Sequence, residues 1–118
     1  MLEWIESEGF RILVMHAENL PDDKVLEAIG EFEQAVLRTP PGVRLLSIAN
    51  TSGDRITTAM RDRWSQFLDR TRHVDHIRTN VGAQGFGRVV AGLLVPDIYF
   101  AKSMDDAVQY LVKKSKSL

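Results

Sequence analysis

The 118-residue chain contains no cysteine. This absence excludes disulfide bonds, thiolate zinc sites and cysteine nucleophiles, and it fits a reducing compartment. Long apolar runs are also missing, because the longest, Val89–Val95, is interrupted by Gly92 and is far shorter than the roughly 20 residues that span a bilayer. The acidic N-terminus, MLEWIESEGF, has neither the basic segment nor the long apolar core of a signal peptide. We therefore expect a cytoplasmic protein without a transmembrane segment.

Recognisable catalytic, cofactor and metal patterns are missing as well. No serine stands in a Gly-x-Ser-x-Gly elbow, and no catalytic triad can be assembled by spacing. His73, Asp75 and His76 are close in sequence but have no firm third ligand nearby, so we predict no metal site. We predict no cofactor, and we expect a non-catalytic protein, although no sequence feature settles whether some activity exists.

The composition is that of one globular domain, residues 1–118, with 44% hydrophobic and 26% charged residues. A net charge of −1 predicts no attraction to nucleic acid. The charge is unevenly distributed, because residues 1–37 hold nine acids against Arg11 and Lys24, whereas residues 54–88 hold seven arginines against four aspartates. This asymmetry favours a protein partner or a homodimer, and two solvated helix faces explain it equally well.

Strand and helix patterns alternate along the chain. The turn signal Glu8-Gly9 joins the first two predicted strands into a hairpin. The predicted strands are Glu3–Ser7, Arg11–Ala17, Val43–Ala49, His76–Val81 and Ile98–Ala101, and a loop is predicted at Asn50–Asp54. The predicted helices are one that opens at Leu20-Pro21-Asp22-Asp23 and stops at Thr39-Pro40-Pro41-Gly42, Thr57–Arg72, Phe86–Leu94, and one capped by Ser103. The order predicts an α/β fold with helices packed on a mixed, mostly parallel sheet.

Four segments together resemble the STAS-like group, which includes the SpoIIAA-like proteins and domains described as similar to CRAL-TRIO lipid-transfer domains. They are the hairpin with the helix start at Leu20–Asp23, the strand Val43–Ala49 with Thr51-Ser52-Gly53, the segment Val81–Val90, and the segment Ile98–Ala107 with Tyr110-Leu111. The resemblance covers nearly the whole chain. It implies a STAS-like fold and a bacterial regulatory or protein-interaction module.

The resemblance also implies a phosphorylation site, because anti-sigma-factor antagonists of this group are phosphorylated at the start of the second main helix. The matching segment is Ile56-Thr57-Thr58-Ala59, so Thr57 and Thr58 are candidates, and Ser52 is a nearby alternative. Here no acid directly precedes the threonines and no glycine follows them, unlike in the family. A plain helix cap explains a threonine at this position as well as a phosphate acceptor does.

Two further features suggest ligands. Gly82, Gly85 and Gly87, followed by Arg88, precede a predicted helix and could hold an anion or small ligand, although a structural turn explains them too.

The rival to the regulatory function is a protein that binds a small apolar ligand or lipid. It requires an apolar cavity between helices and sheet, for which the candidate lining residues are Met60, Trp64, Phe86 and Leu93. An exposed edge strand at Glu3–Ser7 would favour a homodimer.

Overall fold

The computed structural model describes residues 2–53 and 56–117, without the side chains of Ser52 and Phe86. Its α/β fold confirms the predicted order of strands and helices. The elements are β1 (Leu2–Ser7), β2 (Phe10–His16), α1 (Asp22–Leu37), β3 (Leu45–Gly53), α2 (Thr58–Arg70), β4 (His76–Ala83), α3 (Gly85–Leu94), β5 (Tyr99–Ala101) and α4 (Met104–Lys116).

The five strands form one mixed sheet in the order β1-β2-β3-β4-β5. The β1–β2 pair is antiparallel, and the other three pairs are parallel, as the sequence pattern predicts. Glu8 and Gly9 form the two-residue hairpin loop with φ values of 50° and 83°. Positive φ at both loop residues gives the twist that matches two right-twisted strands, which explains why glycine stands at the second position.

Helices cover both faces of the sheet, and β2 shows why. Leu13 and Met15 point to the α1–α2 side, Ile12 and Val14 point to the α4 side, and all four side chains are fully buried. Alternate residues of a strand face opposite sides, so a strand that is apolar at every position must be covered twice. Burial of such side chains contributes about 1.5–3 kcal/mol each to folding, before the entropy cost of ordering them.

Strands β3 and β4 differ in their bounds from the prediction made from the sequence. β3 begins at Leu45, because Val43 lies in the turn after Gly42 and is exposed. β3 also continues to Gly53, where a loop was predicted, since its parallel pairing with β4 resumes after a register shift between Asn50 and Gly53. β4 likewise extends to Ala83, so Gly82 belongs to a strand, with a φ of 98°.

The starts of α2 and α4 follow the local chemistry expected from the sequence. Thr57 caps α2, because its side-chain oxygen accepts a hydrogen bond from the Met60 N–H at 3.1 Å. Ser103 caps α4 in the same way by accepting from the Asp106 N–H at 3.1 Å. The Asp106 carboxylate then accepts from the backbone N–H of Lys102. A side-chain acceptor for an unpaired helix N–H stabilises a helix by about 1 kcal/mol.

A buried carboxylate ties α1 to α2. Glu33 on α1 is 3% exposed and accepts hydrogen bonds from Arg63 at 2.9 Å and Arg70 at 3.5 Å, both on α2. Burial alone would raise the pKa of Glu33, but the hydrogen bonds and charges of the two arginines outweigh it and the net pKa is lowered. The ion pair therefore fixes how α2 lies against α1. None of the helices in the described ranges combines the length and apolarity needed to cross a membrane.

Candidate functional site

A cavity of about 280 Å³ lies between the sheet and the three helices α1, α2 and α3. We call it the central cavity. Its volume is about twice the roughly 150 Å³ of an apolar protein cavity that takes up benzene. By proportion it holds roughly a dozen non-hydrogen atoms. Well-packed protein interiors contain few voids larger than a water molecule, so a space of this size is a candidate binding site.

The helices supply an apolar wall to the central cavity. The residues that line it include Leu20 and Val25 from α1 and its approach, Met60, Trp64, Phe67 and Leu68 from α2, and Ala91, Leu94 and Val95 from α3 and its end. An aromatic group formed by Phe32, Trp64 and Phe67 stiffens this wall. Phe32 and Phe67 stack with ring centroids 5.2 Å apart, and Trp64 meets Phe67 edge-on at 5.3 Å. Such contacts hold the rings in fixed positions.

The sheet supplies a polar floor. Ser47, Thr51, Arg78 and Asn80 line the cavity from β3 and β4 at alternate positions of their strands, because these positions share one face. Asn80 is already committed within the protein: its amide donates to the Thr51 hydroxyl at 3.1 Å, and its carbonyl accepts from the Ala83 N–H at 3.1 Å. Ser47 is hydrogen-bonded to the ring of His76. Ser47, Thr51 and Asn80 therefore have few hydrogen-bonding groups left for a ligand.

Arg78 is the exception in this floor. Its Nε is completely shielded from solvent and has no hydrogen-bond partner. Within residues 2–53 and 56–117, its guanidinium forms no ion pair or side-chain hydrogen bond. Burial lowers the pKa of Arg78, and the more distant charge of Asp97 partly opposes that effect. Partial burial of a guanidinium that has no protein partner is costly, because the hydration lost at its shielded Nε is not replaced.

His76 lies next to Arg78 on the same face of β4 and is almost fully buried. Burial lowers its pKa to about 3, with a smaller contribution from the charge of Arg78. The imidazole is therefore neutral at pH 7. Its Nε2 contacts the Ser47 hydroxyl, whereas its Nδ1 is buried without a partner in the described part of the chain. His76 itself is not among the described lining residues of the central cavity, where Arg78 is the cationic residue and Asp22 is the acidic one.

The four residues proposed from the sequence to line an apolar cavity are placed differently from one another. Met60 and Trp64 lie in the wall of the central cavity. Leu93 does not line it and is 76% exposed, because α3 turns Gly87, Ala91 and Leu94 inward at helical spacing. The side chain of Phe86 lies outside the described residues.

The candidate phosphorylation residues lie at the approach to α2. Thr57 uses its hydroxyl oxygen as the helix cap, and Thr58 is the first residue of α2 and is exposed. Ser52 belongs to β3, not to the loop predicted there, and its side chain lies outside the described residues. No described contact identifies a phosphate acceptor among the three.

The glycine-rich segment does not bring its predicted ligand groups to one point. Gly82 is in β4, Gly85 begins α3 with a φ of 52°, and Gly87 lines the central cavity. The Arg88 guanidinium lies over the ring of Phe100, 4.7 Å from its centroid, and Arg88 is not among the lining residues. The glycines are accounted for by strand and helix geometry, since two of them adopt positive φ.

Arg78 and His76 were not recognised from the sequence as site residues. In the sequence, Arg78 is one of the seven arginines of residues 54–88, and His76 is only a weak candidate metal ligand. The signal was the spacing His76, Arg78, Asn80 within a predicted strand, which places three polar side chains on one covered face. Among the described residues, no group of three or more acidic or histidine side chains is arranged to hold a metal ion.

No protein-family model, no curated protein and no solved structure matches the chain. The resemblance to STAS-like domains stays a prediction. Since a fold does not determine a function, the central cavity and its lining are the features of the molecule that bear on its function.

Proposed function

We propose that the protein binds a small, largely apolar molecule in the central cavity. The observation that carries this proposal is the volume of about 280 Å³ enclosed between an apolar helical wall and the sheet. Left empty and closed, a rigid cavity of that size would cost on the order of 7 kcal/mol, at about 24 cal/mol per Å³. This is an upper limit, since the cavity is partly open, yet it is comparable with the whole stability of a domain. A ligand that fills it recovers much of this free energy.

The chain offers a matched pair of positions for testing the proposal. Ala91 and Leu93 lie on the same helix, α3, but only Ala91 lines the central cavity. Ala91→Phe places a ring in the cavity, whereas Leu93→Phe adds an aromatic ring on the exposed surface. Binding of 1-aminonaphthalene, a neutral probe whose fluorescence rises in an apolar site, is then measured for each variant.

We expect the wild type and Leu93→Phe to bind the probe with equal affinity, and Ala91→Phe to bind at least about tenfold more weakly, as loss of a buried contact surface predicts. Circular dichroism confirms that each variant is folded. Absence of binding by the folded wild type, or equal binding by all three proteins, would overturn the proposal.

A second candidate function follows from the order of elements. We propose as this second candidate the non-catalytic, bacterial, cytoplasmic regulatory module that the STAS-like resemblance implies, and the observed β-β-α-β-α-β-α-β-α order matches the order predicted from the sequence. β1 is an edge strand, and its exposed Trp4 carries the Arg11 guanidinium 4.4 Å above the ring centroid, which favours a protein partner or a homodimer at this edge. Analytical ultracentrifugation of the wild type and Trp4→Ser tests the dimer: a concentration-dependent dimer lost in the variant supports it, and a monomer at all concentrations contradicts it.

A further inference from the structure

We infer that the ligand of the central cavity carries a single negative charge, a carboxylate, and that Arg78 binds it. The inference rests on the proposed function and adds the chemical class of the ligand. Its starting point is the contrast between Arg78 and the rest of the polar floor. Ser47, Thr51 and Asn80 all have partners within the protein, whereas the Arg78 guanidinium has none among the described residues.

The lack of a partner for Arg78 is significant because the residue is partly buried. A surface arginine needs no partner, because water solvates it. Arg78 is partly buried on a sheet face covered by three helices, and its Nε is inaccessible to solvent. Replacement by an apolar residue of similar length would fill the same space without the cost of desolvating a charge. An anionic group on the ligand would offset this cost, as anions do for buried guanidinium groups.

The surroundings of Arg78 indicate a monoanion. It is the one cation in the described lining, and the Arg88 guanidinium lies over the ring of Phe100 and outside that lining. A carboxylate matches the planar guanidinium in charge and geometry and can accept two of its hydrogen bonds. A dianionic phosphate would leave one charge without a cation.

The apolar wall fits the remainder of such a ligand. With room for roughly a dozen non-hydrogen atoms, the central cavity accommodates a carboxylate joined to a short hydrocarbon chain or to one or two rings. The wall above the floor, including Met60, Trp64 and Leu94, is apolar, so the hydrocarbon part is buried while the carboxylate meets Arg78. The ligand class is a small carboxylic acid with an apolar tail, whether it comes from a free metabolite or is released from a lipid.

The test compares ligands that share an eight-carbon chain and differ in their head group. Octanoate, octanamide and octyl phosphate are each titrated as competitors of bound 1-aminonaphthalene. The titrations use the wild type and the variants Arg78→Met and Arg78→Lys. We expect octanoate to bind the wild type about tenfold more tightly than octanamide, as charge-assisted hydrogen bonds predict. The preference should disappear in Arg78→Met, which keeps the length of the side chain without its charge, and should be reduced in Arg78→Lys. Octyl phosphate should bind more weakly than octanoate.

The outcomes separate the inference from the proposed function. If the probe binds but octanoate and octanamide compete equally, the inference is wrong and the proposed function stands. If the preference for octanoate survives in Arg78→Met, the assignment to Arg78 is wrong. If octyl phosphate binds most tightly, the ligand is not a carboxylate. If the folded wild type binds no probe, the proposed function fails and the inference fails with it. Circular dichroism of Arg78→Met, compared with that of the wild type, shows whether this variant is folded.

Discussion

His76 should make the protein less stable as the pH falls from 7.5 to 5.0. The ring is 9% exposed, hydrogen-bonded to Ser47 and next to the positive charge of Arg78, so protonation in the folded state would bury an uncompensated charge. Burial lowers the folded-state pKa to about 3, from the usual value of 6.5. Between pH 6.5 and about pH 3, the imidazole of His76 is protonated in the unfolded chain but stays neutral in the folded protein. Stability is therefore fully present above pH 6.5 and is lost as the pH falls toward 3.

The magnitude follows from this difference in pKa. Each unit of pH below the unfolded pKa costs about 1.36 kcal/mol. At pH 5.0 the free energy of unfolding should thus be about 2 kcal/mol lower than at pH 7.5. Glu33 has little effect on the stability difference between pH 7.5 and 5.0. Its pKa is lowered in the folded protein, so the stability that it contributes is lost only as the pH falls through and below 4.5.

Urea unfolding at pH 7.5 and 5.0 measures the effect in the wild type, His76→Gln and His73→Gln. The glutamine at 76 can keep a hydrogen bond to Ser47 but does not titrate, so this variant should lose most of the pH dependence. His73 is exposed, so its replacement should leave the dependence unchanged. A wild type whose stability is the same at both pH values, or a His76→Gln variant with an undiminished slope, would refute the reasoning.

Three further predictions concern stability at pH 7.5. Glu33→Gln should lower the free energy of unfolding by about 2 kcal/mol, because it loses charge-assisted hydrogen bonds in a buried site, whereas Arg70→Gln should cost much less because Arg70 is largely exposed. Arg78→Met should raise the stability of the ligand-free protein by about 1 kcal/mol, because an unpaired charge leaves the cavity floor. Thr57→Ala should cost about 1 kcal/mol through loss of the α2 cap, and Thr58→Ala should cost little.

Chemical denaturation measures all three, and each has a result that counts against it. Equal losses for the Glu33 and Arg70 variants would contradict the role of burial. A destabilised Arg78→Met would mean that the guanidinium has a structural partner. A Thr57→Ala variant as stable as the wild type would show that the cap contributes nothing.

Local chemistry explains why much of the fold could be predicted from the sequence. The Glu8-Gly9 turn, the two-sided burial of β2 and the Ser103 cap each depend on neighbouring residues alone. β3 was ended too early because its last residues are polar and small, and what keeps them in the sheet is pairing with β4. Such pairing between distant segments is invisible to a local pattern.

The site was harder to predict than the fold, because a cavity is defined by where side chains are missing. Trp64 and Met60 were proposed as lining from their apolar spacing, but the same spacing describes a filled core. Leu93 is the residue predicted from the sequence, whereas Leu94 lines the cavity, because the sequence of α3 alone does not determine which of its faces packs toward the sheet. Arg78 was overlooked because an arginine reveals its lack of a partner only when the surrounding contacts are known.

The two tryptophans offer the most direct test that the central cavity binds a small molecule. Trp64 lines it, and Trp4 lies exposed on β1. A ¹H–¹⁵N correlation NMR titration with 1-aminonaphthalene follows both indole N–H signals, with Trp4→Phe used to assign them. We predict a saturable shift of the Trp64 signal and an unchanged Trp4 signal. Saturation that moves only the Trp4 signal, or no shift of either, would contradict a ligand in the central cavity.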